Sequence, residues 1–296
     1  MTRLTTYPDA STFLAQAGEL LEQRPDLNHL MLGICERLVR YPERIEQAPF
    51  LAQLESEGHR WAAVMTPPHN VLLSAGDPWP DECLRTLADA LLKGNWQVPG
   101  VMSRRDAAAA FTQLFTSLTG RAYTLTRGLL SYSLDEVCWA PTVPGALRQS
   151  TAEDLDTALY WSIAFHRESL PETDESEARR VAERMVGEGS LHLWEDDKVV
   201  SMAGWTRPTR KAIAVTLVYT PPALRGRGYA SACVAALSRK LLNEGYAFCT
   251  LYADAANPTS NSIYQKIGYR ETAEWGEYAF APAPASAGEP QQGGSL

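Results

Sequence analysis

The chain has 296 residues, of which 45% are hydrophobic and 21% are charged. This composition is typical of a globular protein and excludes collagen-like, coiled-coil and wholly disordered chains. The 27 basic and 35 acidic residues give a formal charge of −8. A surface of this sign repels nucleic acid and anionic membranes, so we expect neither as a partner.

The cysteine pattern indicates a reducing compartment, and the hydropathy pattern bears on membrane segments and secretion. The five cysteines are widely spaced and form no CxxC pair, which argues against a disulfide framework and a zinc site. The five histidines show no HExxH spacing, so no metal is expected. The longest uncharged stretch, 61–76, is short and interrupted by prolines, and no apolar segment follows the first residues. We therefore expect no membrane helix, no secretory signal and a cytoplasmic location.

Hydrophobic spacing in the first half predicts helices and strands in a definite order. Helices are expected at 10–22 and 27–40, strands at 50–54, 61–65 and 71–73, a helix at 81–93, a short strand near Val98, a helix at 104–118 and a strand at 123–134.

The second half repeats this order with stronger signals. Thr151, followed three residues later by Asp154, marks a helix start, and the β-prone run 212–220 is expected at the centre of a sheet. The elements expected here are a strand at 146–149, helices from Thr151 through Ile163 and at 175–186, strands at 191–194, 198–206 and 212–220, a helix at 228–243, a strand at 248–252, a helix at 259–266 and a strand at 270–280. The pattern predicts an α/β (α+β) fold in which each half has a mixed central sheet flanked by helices.

Proline and glycine divide the chain. The segment 140–145 reads Ala-Pro-Thr-Val-Pro-Gly and is a plausible linker. It separates a first domain, 1–140, from a second, 145–281. Residues 282–296 lack aromatic and β-branched side chains, so we expect them to form a disordered tail.

The segment 218–230 carries the clearest chemical signal, because it joins a buried strand to a helix through a loop with two glycines and two arginines. Gly226 and Gly228 permit close approach of the backbone to a ligand. Free amides and the dipole at a helix start attract an anion such as a phosphate, and Arg225 and Arg227 add positive charge. For so short a pattern, an ordinary turn with solvated arginines is the alternative.

This loop resembles the acyl-CoA-binding loop of the GNAT superfamily of N-acetyltransferases. In that loop, Gln or Arg is followed after two residues by Gly and, after one more, by Gly or Ala; Arg225, Gly228 and Ala230 fill these positions. The resemblance covers about residues 146–280 and implies acetyl-CoA as cosubstrate, with a strand that splays from its neighbour before the loop. It implies that the backbones of Val218, Tyr219 and Thr220 bind the pantetheine arm. It implies that the pyrophosphate is held by Arg225 and by the backbones of Gly226, Arg227, Gly228, Tyr229, Ala230 and Ser231.

A second segment, 257–269, is similar to another GNAT pattern: Asn, six residues, Tyr, three residues, Gly and an aromatic residue. The resemblance implies that Asn257 contacts the pantetheine region, that Asn261 lies near CoA and that Tyr264 donates a proton to the departing thiolate. A phenol of pKa about 10 suits a thiolate whose conjugate acid lies near 8.5. Taken alone, Tyr264 is also explained as a core aromatic residue of an amphipathic helix.

The general base is not evident from the sequence. Many family members have Glu five residues before the motif's Asn, but Tyr252 stands there. Asp254, Glu195 and Glu168 are carboxylates that could act through water, and each is also explained as a solvated surface group. A backbone amide near Tyr219 is expected to stabilise the oxyanion.

The first half lacks these features. If it is a second GNAT-like fold, its equivalent loop is 74–82, where three carboxylates would repel pyrophosphate and two prolines remove amide donors. We therefore interpret the first half as a degenerate, non-catalytic repeat.

The sequence as a whole predicts a tandem GNAT fold whose second half is an N-acetyltransferase. It would move an acetyl group from acetyl-CoA to a primary amine of a small molecule or peptide that the sequence does not identify. The alternative is a non-catalytic acyl-CoA-binding or regulatory module. Four aromatic residues are candidates for an acceptor pocket, with core packing as the other explanation: Trp161, Phe165, Trp194 and Trp205.

Overall fold

The computed structural model of the chain describes residues 2–169 and 174–282. Its strands are β1 (Arg3–Thr6), β2 (Phe50–Ser56), β3 (His59–Met65), β4 (Val71–Leu73), β5 (Gly100–Arg104), β6 (Tyr123–Leu134), β7 (Ala146–Gln149), β8 (Leu191–Asp196), β9 (Lys198–Thr206), β10 (Ala212–Tyr219), β11 (Phe248–Asp254) and β12 (Arg270–Phe280). Its helices are α1 (Ala10–Gln23), α2 (Pro25–Arg40), α3 (Asp81–Lys93), α4 (Arg105–Thr119), α5 (Leu155–Ser169), α6 (Glu175–Gly187), α7 (Tyr229–Asn243) and α8 (Pro258–Ile267).

All twelve strands form one continuous mixed sheet, in the order β1-β2-β3-β4-β5-β12-β6-β11-β10-β9-β8-β7. The first half contributes one flank of the sheet and the second half the other. At the centre the two halves exchange strands, because β12 pairs with β5 while β6 pairs with both β11 and β12. Each half is therefore completed by a strand from the other.

The cores confirm this exchange. Tyr132 and Leu134 of β6 pack in the cluster beneath α7 and α8, which belongs to the second half. Tyr278 and Phe280 of β12 pack with α3 and α4 of the first half, where the Phe280 and Phe115 ring centroids are 4.7 Å apart. The two halves thus share hydrophobic burial as well as hydrogen bonds.

Helices cover both faces of the sheet. On one face α3 and α4 lie over the first half, and α7 and α8 lie over the second. On the opposite face α1 and α2 pack on the first half and on Leu129 and Trp275 of the exchanged strands, while α5 and α6 pack on the second half. Successive side chains of a strand point to opposite faces, which explains why neighbouring residues of β3 belong to different clusters.

The structure confirms the predicted fold class and most predicted elements. The capping box is present, since the Thr151 amide donates to Asp154 Oδ2 at 2.8 Å. Three details differ: β1 was not predicted, the strand expected near Val98 begins at Gly100, and the helix expected through Ile163 continues to Ser169. β1 is a short edge strand of mostly exposed residues, so it has no hydrophobic pattern to reveal it.

The division into two domains, 1–140 and 145–281, remains a prediction. The structure adds that these two parts exchange strands. Apart from Pro282, the predicted disordered tail lies outside the described residues. Within the described ranges, none of the helices is long and apolar enough to cross a membrane.

Candidate functional site

The strands β10 and β11 run parallel and then separate. Their register pairs extend from Ala212 with Phe248 to Ala214 with Thr250, and no further pair joins them among the described residues. β10 continues to Tyr219 and β11 to Asp254. The separation leaves the β11-facing backbone groups of β10 after Ala214 unpaired with that strand, so an extended ligand chain has hydrogen-bonding partners there.

A β-bulge lies in the part of β10 that faces the gap. The register with β9 shifts between Thr216 and Tyr219, and Leu217 has a left-handed φ of +52°. A left-handed backbone at a non-glycine residue is strained and is commonly retained where it redirects a strand. Here the bulge lies within the segment that faces the gap, directly before Val218 and Tyr219.

The glycine loop after β10 leads into the first turn of α7. Gly226 and Gly228 both have left-handed φ values, +76° and +84°, and Gly228 is the N-cap of α7. A Cβ atom built on Gly226 would meet no atom within 4 Å. The loop thus presents an open backbone surface next to unpaired helix amides, which is the arrangement that binds phosphate groups.

The predicted linker passes beside this loop. A Cβ atom on Gly228 would lie 3.1 Å from Val143 Cγ1 and 3.5 Å from Pro141 Cβ. Substitution of Gly228 would therefore disturb the linker as well as the backbone, whereas Gly226 faces open space.

The two loop arginines differ in their surroundings. Arg225 donates to Glu168 Oε2 at 2.7 Å and to the Thr220 carbonyl at 2.9 Å, and its guanidinium lies over the Tyr219 ring. Arg227 is exposed. The contact between Glu168 and Arg225 joins residues 57 positions apart, and no local pattern predicted it.

The first turn of α7 is held by a second unpredicted contact. The buried Tyr229 donates its hydroxyl to Asp196 Oδ2 at 2.7 Å, which ties the helix start to the end of β8. This hydrogen bond and burial raise the pKa of Tyr229. The Tyr229 side chain therefore bonds within the protein. Its backbone amide is one of the amides at the N-terminus of α7, together with those of Ala230 and Ser231.

The two motif asparagines have structural contacts. Asn257 is the exposed N-cap of α8 and accepts from the Ser260 amide at 3.0 Å. Asn261 is buried, donates to the Asp254 carbonyl at 3.0 Å and accepts from the Tyr132 hydroxyl at 3.2 Å. Asn261 therefore ties α8 to β11 and to the exchanged strand β6.

Tyr264 is buried between two other tyrosines. Its ring centroid lies 6.1 Å from that of Tyr132 and 5.9 Å from that of Tyr269. No described residue forms a hydrogen bond with its hydroxyl in this structure. Burial raises the pKa of Tyr264 to about 12, so the hydroxyl stays protonated at neutral pH.

Tyr252 is unsuited to act as a base. Its ring packs edge-to-face on Trp275 with centroids 5.3 Å apart, and burial raises its pKa. Of the three carboxylates considered from the sequence, Glu195 is bound by Arg148, and Asp254 accepts from the Ala256 amide. Glu168 is the one that contacts a β10 residue of the gap, because the Tyr219 hydroxyl donates to it at 3.4 Å.

The structure does not bring the four predicted acceptor aromatics together. Trp161 and Phe165 lie on α5 beside Tyr219. Trp194 packs on the opposite face of the sheet, with α7, and Trp205 lines a cleft between the halves. Trp161 and Phe165 alone remain near the gap.

In the corresponding loop of the first half, side chains bind several backbone groups. Asn28 exchanges two 2.8 Å hydrogen bonds with the backbone of Ala75, and Trp79 donates to the Ser74 carbonyl. Arg104 donates to the Gly76 carbonyl at 3.1 Å. Of these groups only the Ala75 amide is a donor that a phosphate could use, so the interpretation of this half as a degenerate repeat stays a prediction.

Comparison with known proteins agrees with this geometry. Residues 191–278, which include β8 through β11 and most of β12, match the FR47-like protein family model. No curated protein matches the chain.

Solved structures show the same fold over nearly the whole chain. A Drosophila protein is 13% identical, with 95% of this chain and 99% of that chain covered and a TM-score of 0.66. A GCN5-related N-acetyltransferase from Sphaerobacter thermophilus is 13% identical over 94% and 95% of the two chains, with a TM-score of 0.59. A tandem GNAT protein from the clavulanic acid biosynthesis pathway is 13% identical over 97% and 100%, with a TM-score of 0.53. At such identities the similarity establishes the fold, which this chain shares with the GNAT proteins among these structures.

Proposed function

From the premise that this chain has the tandem GNAT fold, we propose that its second half transfers an acetyl group from acetyl-CoA to a primary amine of a small molecule or peptide. The observation that carries this proposal is the gap between β10 and β11, which opens beside the bulge and leads to the glycine loop at the start of α7. A strand with unpaired backbone groups and a phosphate-binding helix start, joined by one loop, suit the two parts of CoA.

The residues fit this cosubstrate in two places. The backbones of Val218, Tyr219 and Thr220 would pair with the pantetheine arm, and the amides of residues 226–231 would hold the pyrophosphate, with Arg227 exposed beside them. Acetyl-CoA, when bound, would supply an activated thioester. The buried free cysteines are compatible with a reducing cytoplasm, where this cosubstrate is available.

Tyr264 is the proposed proton donor to the thiolate. A protonated hydroxyl that makes no hydrogen bond to a described residue is free to donate to a ligand. Its raised pKa makes it a weaker acid than an exposed phenol, but it ensures that the proton is present.

The amine must lose a proton before it attacks. Tyr252 does not supply a base, since burial keeps its hydroxyl protonated. Among the carboxylates, the contact with Tyr219 places Glu168 nearest the gap, where it could act through water, but its ion pair with Arg225 at 2.7 Å weakens it as a base. The alternative is an amine that binds already neutral. Trp161 and Phe165 on the same helix favour an acceptor with an apolar part.

A non-catalytic acyl-CoA-binding module is the second candidate, favoured by the absence of a Glu at Tyr252. Thiol release from acetyl-CoA, measured against a panel of amines, distinguishes the two. We expect release with at least one amine, and we expect Tyr264→Phe to lower kcat by at least about tenfold because general-acid catalysis contributes that much or more.

Tyr269→Phe is the matched control. It removes a hydroxyl that is bonded to Ser238 Oγ at 2.8 Å, on a neighbouring buried ring, and should leave kcat near the wild-type value. Full activity of Tyr264→Phe would refute its role as acid. Binding of acetyl-CoA without thiol release for any amine would favour the binding module.

A further inference from the structure

A cleft of about 460 Å³ lies between the two halves, away from the proposed acetyl-CoA site. It is bounded by α2 of the first half, by α6 of the second and by the end of β9 with the turn that follows. Its volume is that of a small-molecule site. β10 begins just after this turn and spans about 23 Å, at roughly 3.3 Å per residue, before the glycine loop. The cleft and the loop are therefore distinct places.

The cleft is strongly basic in a chain whose net charge is −8. Two carboxylates, Glu36 and Glu188, face five arginines across it. The arginines come from two helices and two connecting segments of the fold: Arg37, Arg40, Arg44, Arg184 and Arg207. Five positive and two negative groups leave an excess of three positive charges, which attracts an anion.

These arginines lack the partners that other arginines of the chain have. Among the described residues, only Arg44 of the five lies within ion-pair distance of a carboxylate, at 3.7 Å from Glu188 and from Glu43. By contrast, Arg179 and Arg180 on the exposed side of α6 each bind a glutamate at 2.9 Å or less. Guanidinium groups that line one cleft and outnumber its carboxylates are characteristic of sites for phosphate or carboxylate ligands.

Of the five arginines of the cleft, Arg207 is the one whose position is most constrained by its surroundings. Its backbone is left-handed, with a φ of +49°, and its side chain packs against Gly33 so closely that a Cβ there would lie 2.6 Å from Arg207 Cβ. Its Nε atom is buried and has no hydrogen-bond partner among the described residues. Burial, reinforced by Arg37 and Arg184, lowers the pKa of Arg207 to about 10. A buried donor without a partner is costly unless a ligand completes its hydrogen bond.

We propose that this arginine cleft is a second anion site, which binds a small molecule carrying carboxylate or phosphate groups and thereby joins α2 to α6. The ligand's oxyanions would lie between Arg207, Arg37 and Arg184, where they would receive the missing hydrogen bonds. The site lies away from the glycine loop, and its anion binding does not depend on the proposed acetyl transfer.

The test is a titration of the full chain with pyrophosphate and with citrate, read by calorimetry and by the melting temperature. Sodium chloride at the same ionic strength controls for screening. We expect at least one of the anions to bind and to raise the melting temperature, and the stronger of the two identifies the phosphate or the carboxylate class. No binding of either at concentrations on the order of 10 mM would overturn the proposal.

Variants assign any binding to the cleft. We expect Arg207→Met to weaken it by on the order of tenfold or more, because a charge-assisted hydrogen bond is lost. The same variant should melt at a higher temperature without ligand, since it removes an unpaired charge. Arg37→Gln, at an exposed position, should also weaken binding. Arg179→Met, which removes the same charge outside the cleft, should leave it unchanged.

The glycine loop is a competing anion site, and Gly226→Asp tests it. If that variant abolishes the response while Arg207→Met and Arg37→Gln retain it, the anion binds at the loop and the proposal is wrong. If Arg207→Met lowers the melting temperature and leaves anion binding intact, Arg207 serves stability only, and the proposal is likewise wrong.

Discussion

At the residue scale, burial decides what each tyrosine near the gap contributes. Burial raises the pKa of both Tyr264 and Tyr252, so both hydroxyls stay protonated near neutral pH. A protonated phenol is able to donate but not to accept a proton as a base. A tyrosine with the ordinary pKa near 10 is also protonated at neutral pH. Burial therefore adds to the case against Tyr252 as a replacement for glutamate, and it makes Tyr264 a weaker acid whose proton is present.

A second residue-scale feature fixes the start of the second half. Arg148 binds Asp154 through two hydrogen bonds of 2.7 and 2.8 Å, and Asp154 also accepts from the Thr151 amide. These contacts lower the pKa of Asp154 to about 2. The pair joins β7 to the segment that precedes α5.

We expect Asp154→Asn to lower the free energy of unfolding by about 1–2 kcal/mol at neutral pH, because the ion pair is lost while an amide oxygen still accepts from Thr151. The Arg148 side chain is 35% exposed, so screening by solvent keeps the loss small. A carboxyl whose folded pKa is depressed stabilises the protein above its unfolded pKa, and this contribution disappears as the pH falls through the folded value.

The difference between wild type and Asp154→Asn should therefore be constant above about pH 4 and shrink between about pH 4 and pH 2. Denaturant unfolding over this range measures it. Asp156→Asn, an exposed position in the same region, should show a much smaller loss. A difference that grows as the pH falls would contradict the account.

At the element scale, the exchanged strands decide which part of the chain is a folding unit. β6 fills the space between β11 and β12 and supplies Tyr132 and Leu134 to the core beneath α7 and α8. A second half that begins after the linker would lack this strand. It would expose the hydrogen-bonding edges of β11 and β12 together with part of its core.

We predict that a fragment of residues 145–282 does not fold cooperatively, whereas a fragment of residues 121–282 does. The longer fragment contains β6 and therefore every strand that the core beneath α7 requires. Circular dichroism with thermal melting compares the two. A cooperative melt of the shorter fragment would show that β6 is dispensable and that the exchange does not define the unit.

The fold was largely predictable because most elements carry a local hydrophobic pattern. The strand 270–280 and the helices 81–93 and 175–186 were located to within one residue. The pairing of β6 with β11 was not predictable. The hydrophobic pattern of a strand does not specify which strand pairs with it, and here the paired residues are more than a hundred positions apart in the chain.

Some parts of the candidate site were also predictable from the sequence, and others were not. The glycine loop and the Tyr264 motif lie in single short segments, so the sequence revealed them. The Glu168–Arg225 pair, the Tyr229–Asp196 hydrogen bond and the convergence of arginines around Arg207 join distant parts of the chain. No local sequence pattern indicated Arg207.

At the scale of the whole molecule, one sheet carries two halves with different chemistry. The second half has a glycine loop with two arginines, whereas in the equivalent loop of the first half Asn28 occupies the Ala75 amide and three carboxylates would repel a pyrophosphate. The account therefore expects a single acetyl-CoA site per chain. The arginine cleft would then be a site of another kind, formed where the halves meet.

Calorimetric titration of the full chain with acetyl-CoA tests this central claim most directly, using Gly226→Asp and Gly226→Asn as a matched pair. Both substitutions place a side chain of similar size at the same left-handed position, which Asp and Asn tolerate better than most residues do, and only Asp adds a negative charge.

The account predicts one site per wild-type chain, affinity close to the wild-type value for Gly226→Asn, and affinity at least about tenfold weaker for Gly226→Asp, whose charge repels the pyrophosphate. Absence of binding to the wild-type chain, or equal affinity of the two variants, would contradict it.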